Sequence, residues 1–229
     1  MRYDPTQPLI SIHVPKTAGS SFRAVLARWF EGRIFYHYPD EQTGTLPVTH
    51  AWKAGTCIHG HFNRHRGTGV YDYYPQASQF ITFLRDPFAT RVSLYFYLKQ
   101  TGATFPWGNG RARIDELCSS LPDFIRLAGE HRGTIPGQTF IQFMPGPITP
   151  TGYREELFGK FLFVGITERL QSDLDRLGGV LGMPRATAPT DNQSRYDELV
   201  GPHLRDLHER SFPLEHQIYE EAKLLSNNN

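Results

Sequence analysis

Residues 12–22 read Ile-His-Val-Pro-Lys-Thr-Ala-Gly-Ser-Ser-Phe, so Lys16, Thr17, Ala18, Gly19, Ser20 and Ser21 bring together one ammonium, one glycine and three hydroxyls. Such a turn suits an anion, because backbone N–H groups at a helix start, the positive end of the helix dipole and the ammonium converge on one spot. A second grouping is Arg85-Asp86-Pro87 with Ser93 downstream. The planar guanidinium fork matches a phosphate, and Ser93 adds a hydroxyl from the next helix. A third is His59-Gly60-His61. Imidazole titrates near neutral pH, which suits it to take a proton from a hydroxyl. Taken singly, each has a plain structural reading: a strand-to-helix turn, an arginine paired with its neighbouring aspartate, a packed histidine.

These residues need elements to hold them. Leu9, Ile10 and Ile12 form an apolar run expected of a buried parallel strand, which Pro15 ends. Phe22, Val25, Leu26, Trp29 and Phe30 recur at helical spacing, with Ser20 or Ser21 expected to cap that helix. Gly19 lets the backbone come close to a bound group. Phe80, Ile81, Phe83 and Leu84 make a second strand ending at Arg85, and Asp86-Pro87 reads as N-cap and first residue of a helix carrying Phe88, Val92, Tyr95, Phe96 and Leu98. Further strands are expected at Thr56–His59 and Phe161–Val164, the latter leading into a helix with Leu170, Leu174, Leu177 and Leu181. Strands alternating with helices predict an α/β fold, a mainly parallel sheet flanked by helices, with anion groups at the carboxyl edges of its strands.

Together the two anion segments resemble the phosphosulfate-dependent sulfotransferases, in particular the carbohydrate branch of the heparan sulfate 2-O-sulfotransferase type. There a Pro-Lys-Thr-Ala-(Gly/Ser)-(Ser/Thr)-Ser-Phe turn grips the 5′-phosphosulfate of 3′-phosphoadenosine 5′-phosphosulfate (PAPS), and an Arg-Asp-Pro…Ser-x-Tyr segment grips the 3′-phosphate. Residues 16–21 match the first, and Arg85, Asp86, Pro87, Ser93 and Tyr95 match the second. Weaker echoes lie in Gln138-Thr139-Phe140, residues 164–169 and residues 218–222. The resemblance implies a P-loop-like sulfotransferase fold and PAPS as sulfuryl donor with no metal required. Lys16 would stabilise the leaving phosphate, His61 would be the base, and His59 and Arg64 would line the acceptor site. Ser194 and Arg195 would help hold the 3′-phosphate. One departure concerns Arg91. The family's second arginine falls one place earlier, and one helical position is a rotation of about 100°, so Arg91 is left out of the site.

Two other function classes fit the anion turn. An ATP- or GTP-dependent small-molecule kinase would require a Walker sequence, which is missing around Lys16. A non-catalytic module that senses 3′-phosphoadenosine 5′-phosphate (PAP) would use the same pocket. A zinc site at His59, His61 and His65 is the less favoured explanation of the histidines.

The 229 residues suit a single domain, 1–229, with a Gly- and Pro-rich stretch at 101–159 read as an acceptor-recognition insertion, or else as a surface connection with a helix near Asp115 to Leu127. A net charge of +1 argues against general nucleic-acid binding. No apolar run approaches the roughly 18–20 residues of a membrane span, and no signal peptide opens the chain. The expectation is a cytoplasmic, bacterial-type protein with Cys57 and Cys118 as reduced thiols. The acceptor is expected to be a small molecule or glycan, and the oligomeric state stays open.

Overall fold

In the computed structural model, which describes residues 2–40, 43, 45–189 and 201–226, five parallel strands form the central sheet. They are β1 (Leu9–Ile12), β2 (Ile34–His37), β3 (Cys57–Gly60), β4 (Phe80–Leu84) and β7 (Phe161–Ile166), in the order β2-β3-β1-β4-β7. Alternate residues feed opposite faces, as the two-residue strand period requires. Leu9, Cys57, Ile81, Phe83 and Phe163 pack with helices α1 (Gly19–Trp29) and α6 (Leu170–Leu181). Ile10, Ile12, Ile58, Phe80 and Leu84 pack on the other face with Ile218, Tyr219 and Ala222 of the C-terminal helix α8 (Pro213–Leu225). A sheet covered on both sides explains why its central strands are buried throughout rather than alternating.

The remaining helices are α2 (Val70–Tyr73), α3 (Pro87–Thr101), α4 (Ile114–Leu117), α5 (Leu121–Glu130) and α7 (Pro202–Ser211). Connections run from β1 to the β2/β3 side of the sheet and from β4 to the β7 side. The chain therefore reverses direction between β1 and β4, the crevice where open α/β sheets bind ligands. Lys16 follows β1 and Arg85 follows β4, so the two anion groups straddle that crevice.

Several elements differ from expectation. Edge strand β2 is additional to the expected strands; of its residues Ile34–His37 only His37 is buried. The stretch after 101 holds an antiparallel hairpin, β5 (Thr104–Trp107) and β6 (Gly110–Arg113), closed by Gly108-Asn109 with Gly108 at φ +55°. A two-residue Gly-Asn connection is a hairpin signal. The helix expected near 115–127 is two helices, because Ser120 caps a fresh start with Pro122 in its first turn. Strand β7 runs two residues past Val164; Gly165 fits there because a β-carbon would lie 2.4 Å from the Phe83 ring. Helices α3, α5 and α7, with Phe105 and Ile114, share a small core of their own.

Candidate active site

Strand β1 extends past Ile12 through a bond from His13 N–H to the Gly60 carbonyl (2.8 Å). Pro15 then breaks the ladder, and Lys16 and Ala18 both take left-handed backbone angles, φ 69° and 58°. For residues other than glycine such angles cost on the order of 1–3 kcal/mol each and concentrate at functional sites. Alternation of this kind turns N–H groups into a concavity suited to an anion. Thr17 Oγ1 closes the turn by donating to the Val14 carbonyl (2.8 Å). The N-cap of α1 is Ala18, with no side-chain cap, so the first N–H groups of the helix stay open. Neither Ser20 nor Ser21 caps, contrary to expectation, because the left-handed turn starts the helix at Gly19; Ser21 Oγ donates instead to the Pro189 carbonyl (2.8 Å). Lys16 Nζ lies 4.3 Å from the centre of the Tyr97 ring, and burial, then Arg85, lowers its pKa.

Arg85 reaches across the crevice and donates from Nη1 to the Lys16 carbonyl (3.2 Å). Its neighbour Asp86 is fully occupied elsewhere. Asp86 Oδ1 accepts the Ala89 N–H (2.7 Å) as the cap of α3, and its carboxylate takes a two-pronged grip from Arg205 of α7 (2.9 and 3.2 Å). Its own N–H donates to Glu168 Oε1 (2.9 Å). The aspartate therefore anchors the helix and leaves the Arg85 fork for another anion. Ser93 is buried on α3, three residues after Thr90 and four before Tyr97, so it shares the helix face that meets Lys16. Arg91 turns elsewhere: its guanidinium donates to the Pro136 and Gln138 carbonyls and stacks on Phe212.

The histidines meet at the ends of β1, β2 and β3. Register sets Ser11 beside His59, and Ser11 Oγ lies 2.9 Å from His59 Nδ1. His59 and His61 flank His13 on one face, with ring centres 5.3 and 4.5 Å from it. Tyr38 closes over His61 edge-on at 4.7 Å, and its hydroxyl is 2.9 Å from His13 Nδ1. Gly60 is required between the pair, since a β-carbon there would sit 1.9 Å from the His37 carbonyl oxygen. The Nε2 atoms of His59 and His61 are enclosed and have no hydrogen-bond partner among the described residues. Burial, then Arg23 and Lys16, pushes His13 down to about 4. Burial and the neighbouring histidines hold His61 well below the usual range. All three are neutral at pH 7, the state in which a ring nitrogen can accept a proton.

His13 and Tyr38 escaped sequence reasoning, although His13 stands immediately before the anion turn. A β-carbon on Gly19 would lie 1.7 Å from His13 Nε2, so this ring packs directly beneath the start of α1 and links the histidines to the cradle. Arg64 donates to the carbonyls of Met144 (3.0 Å) and Ile141 (3.5 Å), pinning the 141–144 segment. Ser194 and Arg195 lie outside the described residues. A small cavity between the cradle, α3, residues 138–143 and α8 is lined by Lys16, Thr17, Arg85, Thr90, Phe143 and Glu215, among others.

Two solved structures share this architecture over most of their length. A sulfotransferase from Alicyclobacillus acidocaldarius matches with TM-score 0.52 at 13% identity, covering 94% of this chain and 96% of that one. The mouse sulfotransferase SULT7A1, solved in complex with PAP, matches with TM-score 0.54 at 12% identity, covering 92% and 86%. These likenesses concern the fold. A comparison with curated proteins gave no match. The Sulfotransferase family model matches residues 1–224, and the chain belongs to that family.

Proposed function

We propose that the protein transfers a sulfuryl group from PAPS to a hydroxyl of a carbohydrate or glycosylated metabolite. The observation that carries this reading is the contact of Arg85 with the Lys16 carbonyl at 3.2 Å. It joins two anion grips in one crevice, which suits a ligand with phosphate at both ends of a ribose. The residues fit such a donor. An uncapped helix start, two left-handed residues and an ammonium suit the 5′ end, while Arg85 and Ser93 suit the 3′-phosphate. The PAP held by the mouse relative points the same way.

Bound PAPS supplies the sulfuryl group and a phosphate leaving group. Lys16 and the N–H groups of residues 17–21 stabilise the negative charge that grows on the bridging oxygen. His61 takes the acceptor's proton at Nε2. His13, stacked between His59 and His61, fixes the ring, and the Tyr38 hydroxyl fixes His13. Arg64 serves by holding the 141–144 segment rather than by touching substrate. The stretch 101–159 contributes the Gln138–Phe143 wall on the acceptor side.

Calorimetry and labelled PAPS test the reading. PAP is expected to bind at least tenfold tighter than ATP. Arg85→Ala should weaken PAP by roughly 10–100-fold, the worth of a charged hydrogen bond. Lys16→Ala and His61→Ala should each lower turnover, the latter by about 10²–10⁴-fold. Equal binding of ATP and PAP, or unchanged turnover in both variants, would overturn it.

A further inference from the structure

Glu215 has no part in the mechanism above, yet it faces the cavity beside Lys16 and Arg85. It sits in the first turn of α8 and is only 5% exposed. Its Oε1 accepts the Phe140 N–H (2.9 Å), which ties α8 to the 138–143 wall. Its Oε2 is enclosed and has no hydrogen-bond partner among the described residues. Thr90, lining the same cavity from α3, has its Oγ1 enclosed and likewise unpartnered among the described residues. Buried polar atoms are seldom left unpaired, and two on residues that line one cavity beside Lys16 mark a place where a ligand completes the bonding.

We propose that Glu215 Oε2 and Thr90 Oγ1 bind the acceptor, taking hydrogen bonds from hydroxyls of a neutral sugar beside the one that is sulfated. This rests on the hydroxyl-acceptor reading above. The chemistry follows from what else lines the cavity. Lys16 and Arg85 are cations committed to the donor's phosphates, and Arg91, which also lines the cavity, spends its N–H groups on the Pro136 and Gln138 carbonyls, so the acceptor is left the Glu215 and Thr90 oxygens, which call for O–H donors. Arg91 does not take up the carboxylate, because its N–H groups go to the Pro136 and Gln138 carbonyls and towards His208. Burial raises the carboxyl to about pKa 7 against the lowering effect of Arg91 and the Phe140 N–H. Near neutral pH it is therefore easily satisfied by a neutral hydroxyl, with no need of a cation.

The test uses labelled PAPS with three neutral probes, the p-nitrophenyl β-glucoside, β-galactoside and α-mannoside, and PAP calorimetry on every variant. Glu215→Ala should raise the KM of the preferred glycoside about tenfold, with kcat within about threefold and PAP affinity unchanged. Glu215→Gln keeps one accepting oxygen for the Phe140 N–H and puts an amide NH2 at the Oε2 position, so it should hold thermal stability yet leave KM raised as in Glu215→Ala. Thr90→Val removes only a hydroxyl that has no partner among the described residues, so it should leave thermal stability unchanged while raising the same KM about threefold. A merely structural Glu215 would instead lower thermal stability and leave KM unmoved in both Glu215→Ala and Thr90→Val, which would overturn the proposal. So would wild-type protein that binds PAP yet sulfates none of the three glycosides. Protein that binds no PAP would sink the donor reading instead.

Discussion

Gly19→Ala probes whether the anion cradle and the histidine stack are one mechanical unit. A β-carbon at this position would lie 1.7 Å from His13 Nε2, 2.1 Å from Cε1 and 2.6 Å from Cδ2. To regain even 3.0 Å, the ring must retreat by about 1.3 Å (3.0 less 1.7). That movement strains the 2.9 Å bond to Tyr38 and shifts the ring against His61, now 4.5 Å away. In a helix, alanine is otherwise favoured over glycine by about 0.5–1 kcal/mol. Overpacking costs about 1–3 kcal/mol and the lost hydrogen bond about 1 kcal/mol, so the sign reverses to a net loss of roughly 1–3 kcal/mol. For a chain of this size each kcal/mol lowers Tm by about 2–4 °C. A shift of this size near the reacting groups can also cost about 10²-fold in rate. Thermal unfolding and transfer assays on the single variants and on Gly19→Ala combined with His13→Ala complete a cycle. Without the imidazole, Gly19→Ala should be neutral or stabilising. The reasoning fails if Gly19→Ala alone is as stable as wild type, or if its cost persists when the ring is gone.

Three other outcomes are expected. His13 and His37 are both pushed down to about 4, chiefly by burial. Unfolded histidines titrate near 6.5, so their contribution to stability is complete above that pH, is lost as pH falls from 6.5 towards 4, and levels off below. Urea unfolding should show a drop of roughly 2 kcal/mol per ring between pH 7 and 5, and a flat profile would refute it. Tyr38→Phe leaves His13 Nδ1 without its partner; stability should fall by about 1–2 kcal/mol and turnover with it, and a fully active variant would separate Tyr38 from the site. Arg205→Ala releases Asp86 from its two-pronged grip. Because the arginine is nearly half exposed, stability should change by no more than about 1 kcal/mol. PAP affinity should nevertheless fall severalfold as Arg85 loosens, and unchanged calorimetry would show that α7 does not brace the grip.

What could be read from the chain beforehand was local. The turn at 16–21 and the Arg85-Asp86-Pro87 segment announce themselves because strand, cap and helix signals sit within a few residues of the charged group. His59 and His61 share a face because a strand has period two. The misses are contacts between distant segments. His13 and Tyr38 are 25 positions apart and meet only because β2 and β1 both flank β3. Glu215 is one acidic residue among 23, and nothing within α8 reveals that docking on residues 138–143 will bury it. The uncapped start of α1 was equally hidden. Two left-handed residues that are not glycine oppose local propensity, and only the packing around them sustains such a conformation.

That backbone choice and the histidine stack have a common electrostatic logic. After burial itself, cations are what hold His13 neutral, Arg23 first and then Lys16. Arg23 acts on His59 as well, and Arg66 on His61. A ring in such surroundings starts without a proton at pH 7, as a base must, but it also holds an incoming proton weakly. An anion seated in the cradle offsets the charge of Lys16 and so strengthens the proton affinity of His13, the ring on which Lys16 acts. Gly19 is the point where the two halves touch, so the packing between them passes through it.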